Sequence, residues 1–403
     1  MVKEKLWTKN FILVSIINFF LQLVFYLLLV TIGTYAVEQF HVSTSIAGLV
    51  TGIYILGALM GRLGTGRLIS SIGSKKILLV GLAFFMIATA FYFGAINISL
   101  LLIVRLIHGI AVGIAMTAAG TIIAQVIPVS RRGEGISYFS MSAILATAVG
   151  PFLGITLMQH ASFYMIFILC LLLGAINLSI AFMVPAPMIS SSNKKQSTKA
   201  KVFELSNFFE YSSIPISIVM LIVGLAYSGV LSFLTFYAKE INLVEAASFY
   251  FLVYAVMVII SRPFSGRLMD IRGANIVAYP ALVLFAIGML LLSQAHLGLT
   301  LLLAGVFISL GYGNFFSIAQ TISLKYSQPH RLGLATSTFF IFLDLGLGLG
   351  PYFLGLFVPL IGYRNLYLTM VVVILASIIL YHFLQGRNED SQRFPSTSWT
   401  SKT

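Results

Sequence analysis

Twelve stretches of this chain are each long and apolar enough to cross a lipid bilayer, which constrains its fold more than any motif it carries. They run over 11–37, 46–69, 77–97, 99–127, 134–158, 162–184, 214–238, 247–268, 276–295, 297–325, 332–358 and 363–385. A helix needs about 20 apolar residues to cross a hydrocarbon layer about 30 Å thick. Lipid offers no partners to backbone N–H and C=O groups, so only helices or a closed barrel can span it, and runs of this length predict helices. Of the 403 residues 59% are apolar and only 9% charged, proportions that exclude a water-soluble globule. The chain reads as an all-α integral membrane protein. Its first run is too long for the apolar part of a signal peptide and lacks a small-residue cleavage site, so it is expected to stay as the first span.

The net charge of +13 follows from topology. With both termini in the cytoplasm, 21 of the 24 basic residues fall on the cytoplasmic side, leaving only Lys239, Arg364 and the intraspan Arg105 elsewhere. Nucleic acid is therefore not an expected partner. The single cysteine, Cys170, excludes an intrachain disulfide, and the six histidines lack metal-ligand spacing, so no metal site is expected. Phosphate-binding loops and nucleophile elbows are absent as well, which points away from an enzyme and from ATP as an energy source.

A polar stretch rich in Ser, Lys and Asn divides the spans six and six. The expected organisation is a first bundle over 1–184, a cytoplasmic linker over 185–213, a second bundle over 214–386 and a cytoplasmic tail over 387–403. Shifting the sequence by 200 positions aligns Tyr54 with Tyr254, Arg62 with Arg262, and Gly66-Arg67-Leu68 with Gly266-Arg267-Leu268. The register continues through Gly73 and Gly273, Gly113 and Gly313, Arg131 and Arg331, Ser137 and Ser337, and Gly150-Pro151 with Gly350-Pro351. Two like halves related by an axis along the membrane normal would place a site at the midplane between them, open to one side at a time.

On these residues the chain resembles the major facilitator superfamily over essentially its whole length. The superfamily's loop signature, Gly-x-Leu-x-Asp-x-x-Gly-x-Lys/Arg-Lys/Arg, is similar to Gly66 through Lys76, with Ser70 at the acidic position. The second copy, Gly266 through Gly273, keeps Asp270 but lacks the following bases. The resemblance implies a cytoplasmic gate formed by Gly66, Arg67, Gly73, Arg131, Arg132, Glu134, Gly266, Arg267, Asp270, Arg272 and Gly273. Asp270 is expected to meet the start of the fifth span near Arg131 and Arg132, since exposed amides at a helix N-terminus favour a carboxylate. Arg67 is expected to meet Glu134. Loop anchoring by positive charge is the plainer reading of the basic residues.

Gly150, Pro151 and Gly154 resemble the superfamily's antiporter signature, and Gly346, Gly350 and Pro351 repeat it in the eleventh span. Such spacing permits close helix crossing and a proline bend, so either a packing role or a rocking role fits. Arg105-Leu106-Ile107-His108-Gly109 is similar to the family's Arg-x-x-Gln-Gly signature. A charge within a span faces a cavity or a partner unless it snorkels to the interface. His108 reads either as a proton carrier or as a neutral hydrogen-bonded group. Ten acidic residues lie in tails, loops or span ends, and the eleventh, Asp344, lies mid-span. Asp344, with Arg105 and His108, is the expected proton-coupling set; a protonated structural aspartate is the alternative.

The family's pattern of cavity-lining helices points to Asn18, Gln22 and Tyr26 on one face of the first span, Tyr227, Phe233 and Phe236 on the seventh, and Asn314 and Gln320 on the tenth. The expected protein is thus a monomeric multi-pass transporter in a bacterial plasma membrane, exporting small amphipathic or cationic compounds against protons and needing no cofactor beyond the proton gradient. A dedicated carrier of one metabolite, such as a sugar, amino-acid derivative or metallophore, and a non-transporting receptor on the same fold are the alternatives.

Overall fold

The computed structural model describes residues 5–42, 44–185 and 208–387, and among them every regular element is helical. In the first half these are α1 Lys9–Phe40, α2 Thr44–Arg62 continued by Thr65–Ile72, α3 Ser74–Ala90, α4 Ile98–Val126, α5 Arg132–His160 and α6 Phe163–Met183. The second half holds α7 Ile214–Glu240, α8 Val244–Arg272, α9 Asn275–Ser293 and α10, which runs from Gly298–Ile308 through Ser309–Gly313 to Asn314–Lys325. The unbroken run Leu332–Tyr381 is 50 residues long, more than twice what a membrane crossing requires. It divides into α11 (332–361) and α12 (363–381) at Gly362, whose φ of 75° and ψ of 166° no helix interior accommodates.

Local chemistry sets these boundaries. Thr8 caps α1 by accepting from the Phe11 N–H at 3.3 Å, and Asn97 caps α4 by accepting from Leu100 at 2.9 Å. The repeat glycines Gly73 and Gly273 end α2 and α8 with φ of 97° and 83°, where an L side chain would be strained. The second span differs from the continuous helix expected over 46–69. At Gly64, φ is 80°, and the two pieces bend by 41°. Of the expected linker, 186–207 lie outside the described residues, as do 388–403 of the tail.

Two apolar cores form, one mainly from α1–α6 with Leu324, Leu332 and Ala335 added, the other mainly from α7–α12 with Ile144 of α5 added. Inside the first, Gly57 and Gly61 of α2 interlock with Gly109 and Gly113 of α4 so closely that a Cβ at any of them would enter the facing backbone. Gly150 of α5 packs closely on Tyr26 and Gly154 on Val30 and Thr31 of α1, while Gly346 of α11 meets the backbone of Leu221 and Gly350 the Ser228 side chain of α7. The glycines of the antiporter-like motif therefore sit at helix crossings inside each half. Between the halves, α5 packs on α8 and α2 on α11.

The interlocked glycines predict an overpacking penalty. Gly109→Val should cost more than the usual ~1–3 kcal/mol for added methylenes, because backbone rather than flexible side chain must give way. A fall of several degrees in the thermal unfolding midpoint in detergent would check this.

Candidate functional site

Arginine cannot lose its charge in a protein, so an arginine inside a span must find partners there. Arg62, on the last turn of α2 before the Gly64 break, is 4% exposed and donates from Nε to Asp344 Oδ2 of α11 at 2.6 Å. Its guanidinium lies 4.6 Å from the centre of the Phe340 ring, also on α11, and its backbone carbonyl accepts from Ser337 Oγ at 2.6 Å. One arginine thus ties the first half to the second by an ion pair, a ring contact and a backbone hydrogen bond. Its Nη1 is buried without a hydrogen-bond partner.

The repeat supplies a twin. Arg262 of α8 is 1% exposed and donates to the Gly313 carbonyl of α10 at 2.6 Å and to the Ser137 carbonyl of α5 at 3.5 Å. Its Nε is buried and unpartnered. The position equivalent to Asp344 is Ile144, so the repeat provides no carboxylate there, and the Phe316 ring lies 5.9 Å from this guanidinium.

Tyrosines gather around the pair. Tyr227 of α7 stacks on Tyr312 of α10 with centroids 3.8 Å apart and on Tyr254 of α8 at 5.8 Å. Tyr26 of α1 and Tyr312 lie within electrostatic reach of Asp344, and Arg262 lies within that of Tyr254 and Tyr312. Tyr312 falls in the π-helical segment Ser309–Gly313, a distortion that recurs at functional sites. Residues from α1, α2, α7, α8, α10 and α11 therefore converge between the halves.

Toward the face that carries the first and last described residues, the halves are bolted together. Asp270 near the end of α8 accepts from the backbone N–H of Gly133 at 2.7 Å and of Glu134 at 2.8 Å, so its carboxylate caps the N-terminus of α5. Close approach makes this possible, for Gly133 and Gly266 face each other with no room for a Cβ at either, and Gly66 meets Gly333 likewise. Arg132 donates to the Leu324 carbonyl at 3.3 Å, and Ser137 faces Ser317 at 3.5 Å between hydroxyl oxygens. Together these contacts close the seam between the halves on the end-bearing side.

Other expected residues fall elsewhere. Glu134 is held in two hydrogen bonds of 2.8 Å by Arg131, three residues before it, and Arg67 is exposed, so the expected contact between Arg67 and Glu134 does not form. The reason is reach, since Arg131 belongs to the same turn. Arg267 and Arg272 are also exposed, and Ser70 bonds the Arg67 carbonyl of its own helix. Arg105 does not snorkel. It is 0% exposed, donates to Val50 O at 3.1 Å and Tyr92 Oη at 3.3 Å, and lies 4.5 Å over the Tyr54 ring. His108 meets Tyr92 Oη at 2.9 Å and Thr89 Oγ1 at 3.5 Å. Both bond inside the first half, where the Tyr54 ring packs against Arg105 and His108.

Of the expected cavity residues, Tyr26 and Tyr227 join the tyrosine group. Asn18 is engaged in helix packing, donating to Ser142 Oγ at 2.8 Å, and Asn314 bonds Ser261 and Ser265. Gln22 is half-buried. Phe233 packs near Tyr363 with centroids 6.0 Å apart. Phe236 is 56% exposed and lies nine residues beyond Tyr227, about half a turn away around α7. Gln320 is buried with both amide atoms unpartnered. Arg62, Arg262, Tyr54, Tyr254 and Tyr312 were not expected in the site. The signal was present, because the repeat aligned Arg62 with Arg262 and Tyr54 with Tyr254 inside apolar runs.

Two six-helix halves meeting at a buried, charged interface fit the fold of a secondary transporter. The family model of the Major Facilitator Superfamily matches residues 14–295 and 244–401, and the chain belongs to that superfamily. An uncharacterised transporter of the superfamily from Methanocaldococcus jannaschii is 26% identical over 344 residues, 83% of this chain and 88% of that protein. The staphylopine export protein of Staphylococcus aureus is 22% identical over 354 residues, 84% of this chain and 87% of its own length. Among solved structures, the human organic anion transporter MFSD10 superposes with a TM-score of 0.77 at 17% identity, over 92% of this chain and 98% of that one. FucP in its outward conformation gives 0.73 at 16% identity, over 94% and 99% of the two chains. At these identities the two structures establish the fold.

The Asp270 cap makes a measurable statement about how the halves are joined. Asp270→Ala removes two charge-assisted hydrogen bonds, each worth about 1.5–3 kcal/mol. Paired spin labels near the ends of α5 and α8 should show a longer or broader distance distribution than in the unsubstituted protein.

Proposed function

We propose that the protein exports small organic molecules across the cytoplasmic membrane in exchange for protons, by alternating access between the two halves. The observation that carries this reading is the buried ion pair between Arg62 and Asp344, which joins the two halves. The basic residues of the loops on the end-bearing face support a cytoplasmic orientation for that face, with both termini inside. The arrangement described is then closed to the cytoplasm.

In the proposed cycle Asp344 carries the proton. An ionised carboxylate holds Arg62 and keeps α2 against α11; a proton arriving from the outer side neutralises it and removes the attraction. The Asp270 cap and the glycine crossings of the cytoplasmic gate then part, α5 and α11 moving as units over their close contacts with α1 and α7. Release of the proton to the cytoplasm restores the charge, substrate enters the tyrosine-lined centre, and re-forming the pair closes the inner side and carries substrate outward. Arg105 and His108 act in this reading as a supporting network behind Tyr54. A dedicated exporter of one metabolite is the second reading, favoured by likeness to a staphylopine exporter along most of the chain.

Flux driven by a pH gradient in proteoliposomes tests the proposal, using a panel of cationic dyes, neutral drugs, sugars and organic acids. Asp344→Asn should abolish gradient-driven concentration of any transported compound, by roughly tenfold or more, while leaving downhill exchange. Undiminished gradient-driven flux in that variant would remove Asp344 from the mechanism.

A further inference from the structure

The central site carries more positive charge than its protein groups neutralise. Arg62 has Asp344; its twin Arg262 has two backbone carbonyls, one of them at 3.5 Å, the Phe316 ring with its centre 5.9 Å away, and a buried Nε with no hydrogen-bond partner. A buried guanidinium without a counter-charge is costly, and neutral carbonyls replace a carboxylate only in part. Ile144 occupies the place where symmetry would put the missing acid, and it packs against the core of the second half. Arg105, wholly buried behind Tyr54, adds a second cation with an unpartnered Nη2. Around this centre, three buried arginines thus stand against the single carboxylate of Asp344.

The position of Arg262 suits a ligand. Arg262 donates to the carbonyl of Gly313, the residue after Tyr312, and has the Phe316 ring 5.9 Å away, while Tyr312 and Tyr254 both stack on Tyr227, so the guanidinium lies at the edge of an aromatic cluster. Aromatic walls hold an apolar or aromatic body, and a planar guanidinium edge accepts an oxyanion with two parallel donors. Its bond to the Ser137 carbonyl is also its link to the first half, so an anion that engages Arg262 would compete with that link and couple occupancy to closure.

We propose that the substrate is an organic anion, an aromatic or apolar body bearing a carboxylate or similar oxyanion, and that Arg262 receives the anionic group between Tyr254 and Tyr312. This rests on the transport reading for the location of the site and narrows its substrate class away from purely cationic compounds. Arg62 stays with Asp344 for coupling, and Arg262 is left for recognition.

Equilibrium titration on protein in lipid nanodiscs, with no gradient, tests this using 2-naphthoate, its amide and 2-naphthylmethylamine as probes of one skeleton. The carboxylate should bind at least about tenfold more tightly than the amine. Arg262→Gln should weaken naphthoate binding by about tenfold or more, while Arg262→Lys keeps it within a few-fold. Ile144→Asp gives Arg262 the partner its twin has and should abolish the preference for the anion, which keeps the test decisive if Arg262→Gln does not fold. Amine binding as tight as carboxylate, wild-type naphthoate affinity in both Arg262→Gln and Ile144→Asp, or no naphthoate binding at millimolar concentration would each overturn the proposal. Because no gradient is applied, failure of proton-driven flux leaves this measurement unaffected, and failure here leaves coupling through Asp344 standing.

Discussion

A guanidinium buried between two helix bundles holds the structure's organisation in place. Arg62 cannot shed its charge, and lipid cannot solvate it, so the first half is obliged to offer it to a carboxylate of the second. That necessity brings α2 against α11, which in turn requires Gly66 and Gly333 to meet without side chains between them. Removing either partner would leave the other buried and uncompensated, at a cost of about 3–5 kcal/mol.

The two cross-half seams solve the same problem differently, although a duplicated pattern built them. Along α5 and α8 the carboxylate is Asp270, close to the end-bearing face, where it caps the α5 N-terminus through the amides of Gly133 and Glu134. Along α2 and α11 the equivalent of Asp270 is Ser70, which turns back on its own helix, and the carboxylate has moved deeper to Asp344. Each seam retains one acid at a different depth. A helix cap near a membrane edge is reached by water and screened, whereas a pair at the midplane depends on whichever side admits water. In the proposed cycle the shallow acid is a latch, and the deep one is where a proton changes the balance.

Much of the fold was legible because lipid imposes a simple rule. Apolar runs of spanning length are helices, as with α1, α4 and α7. The break in α2 was not legible, since a glycine in an apolar run can continue a helix or leave it, and only the packing of Gly61 on α4 and Gly66 on α11 decides that Gly64 turns. The site was half visible. Asp344 stood out as the one mid-span acid, and Asp270 found the helix start that its chemistry favours. Its partner Arg62 did not stand out, because an arginine at the end of an apolar run reads equally as a loop charge; depth in the membrane is a tertiary property. Asn18 and Asn314 looked like lining residues for the complementary reason, as a polar amide on a helix face serves a neighbouring helix as readily as a ligand.

The energetic scale of the deep pair fits the work assigned to it. A proton crossing a membrane potential delivers about 2.3 kcal/mol per 100 mV, and each unit of pH difference adds about 1.4 kcal/mol. One proton therefore brings a few kcal/mol per cycle, the same order as the loss from uncoupling one partner of a buried ion pair. A seam held by several such pairs would lie beyond the reach of a single proton, and a seam held by glycine packing alone would feel no proton at all. One deep carboxylate supported by backbone hydrogen bonds and close helix contact lies between those limits. The same reasoning explains why Arg262 can be spared a carboxylate: a second ionised acid there would raise the barrier to opening, while the single Ser137 carbonyl at 3.5 Å links it to the first half weakly enough for a bound anion to replace it.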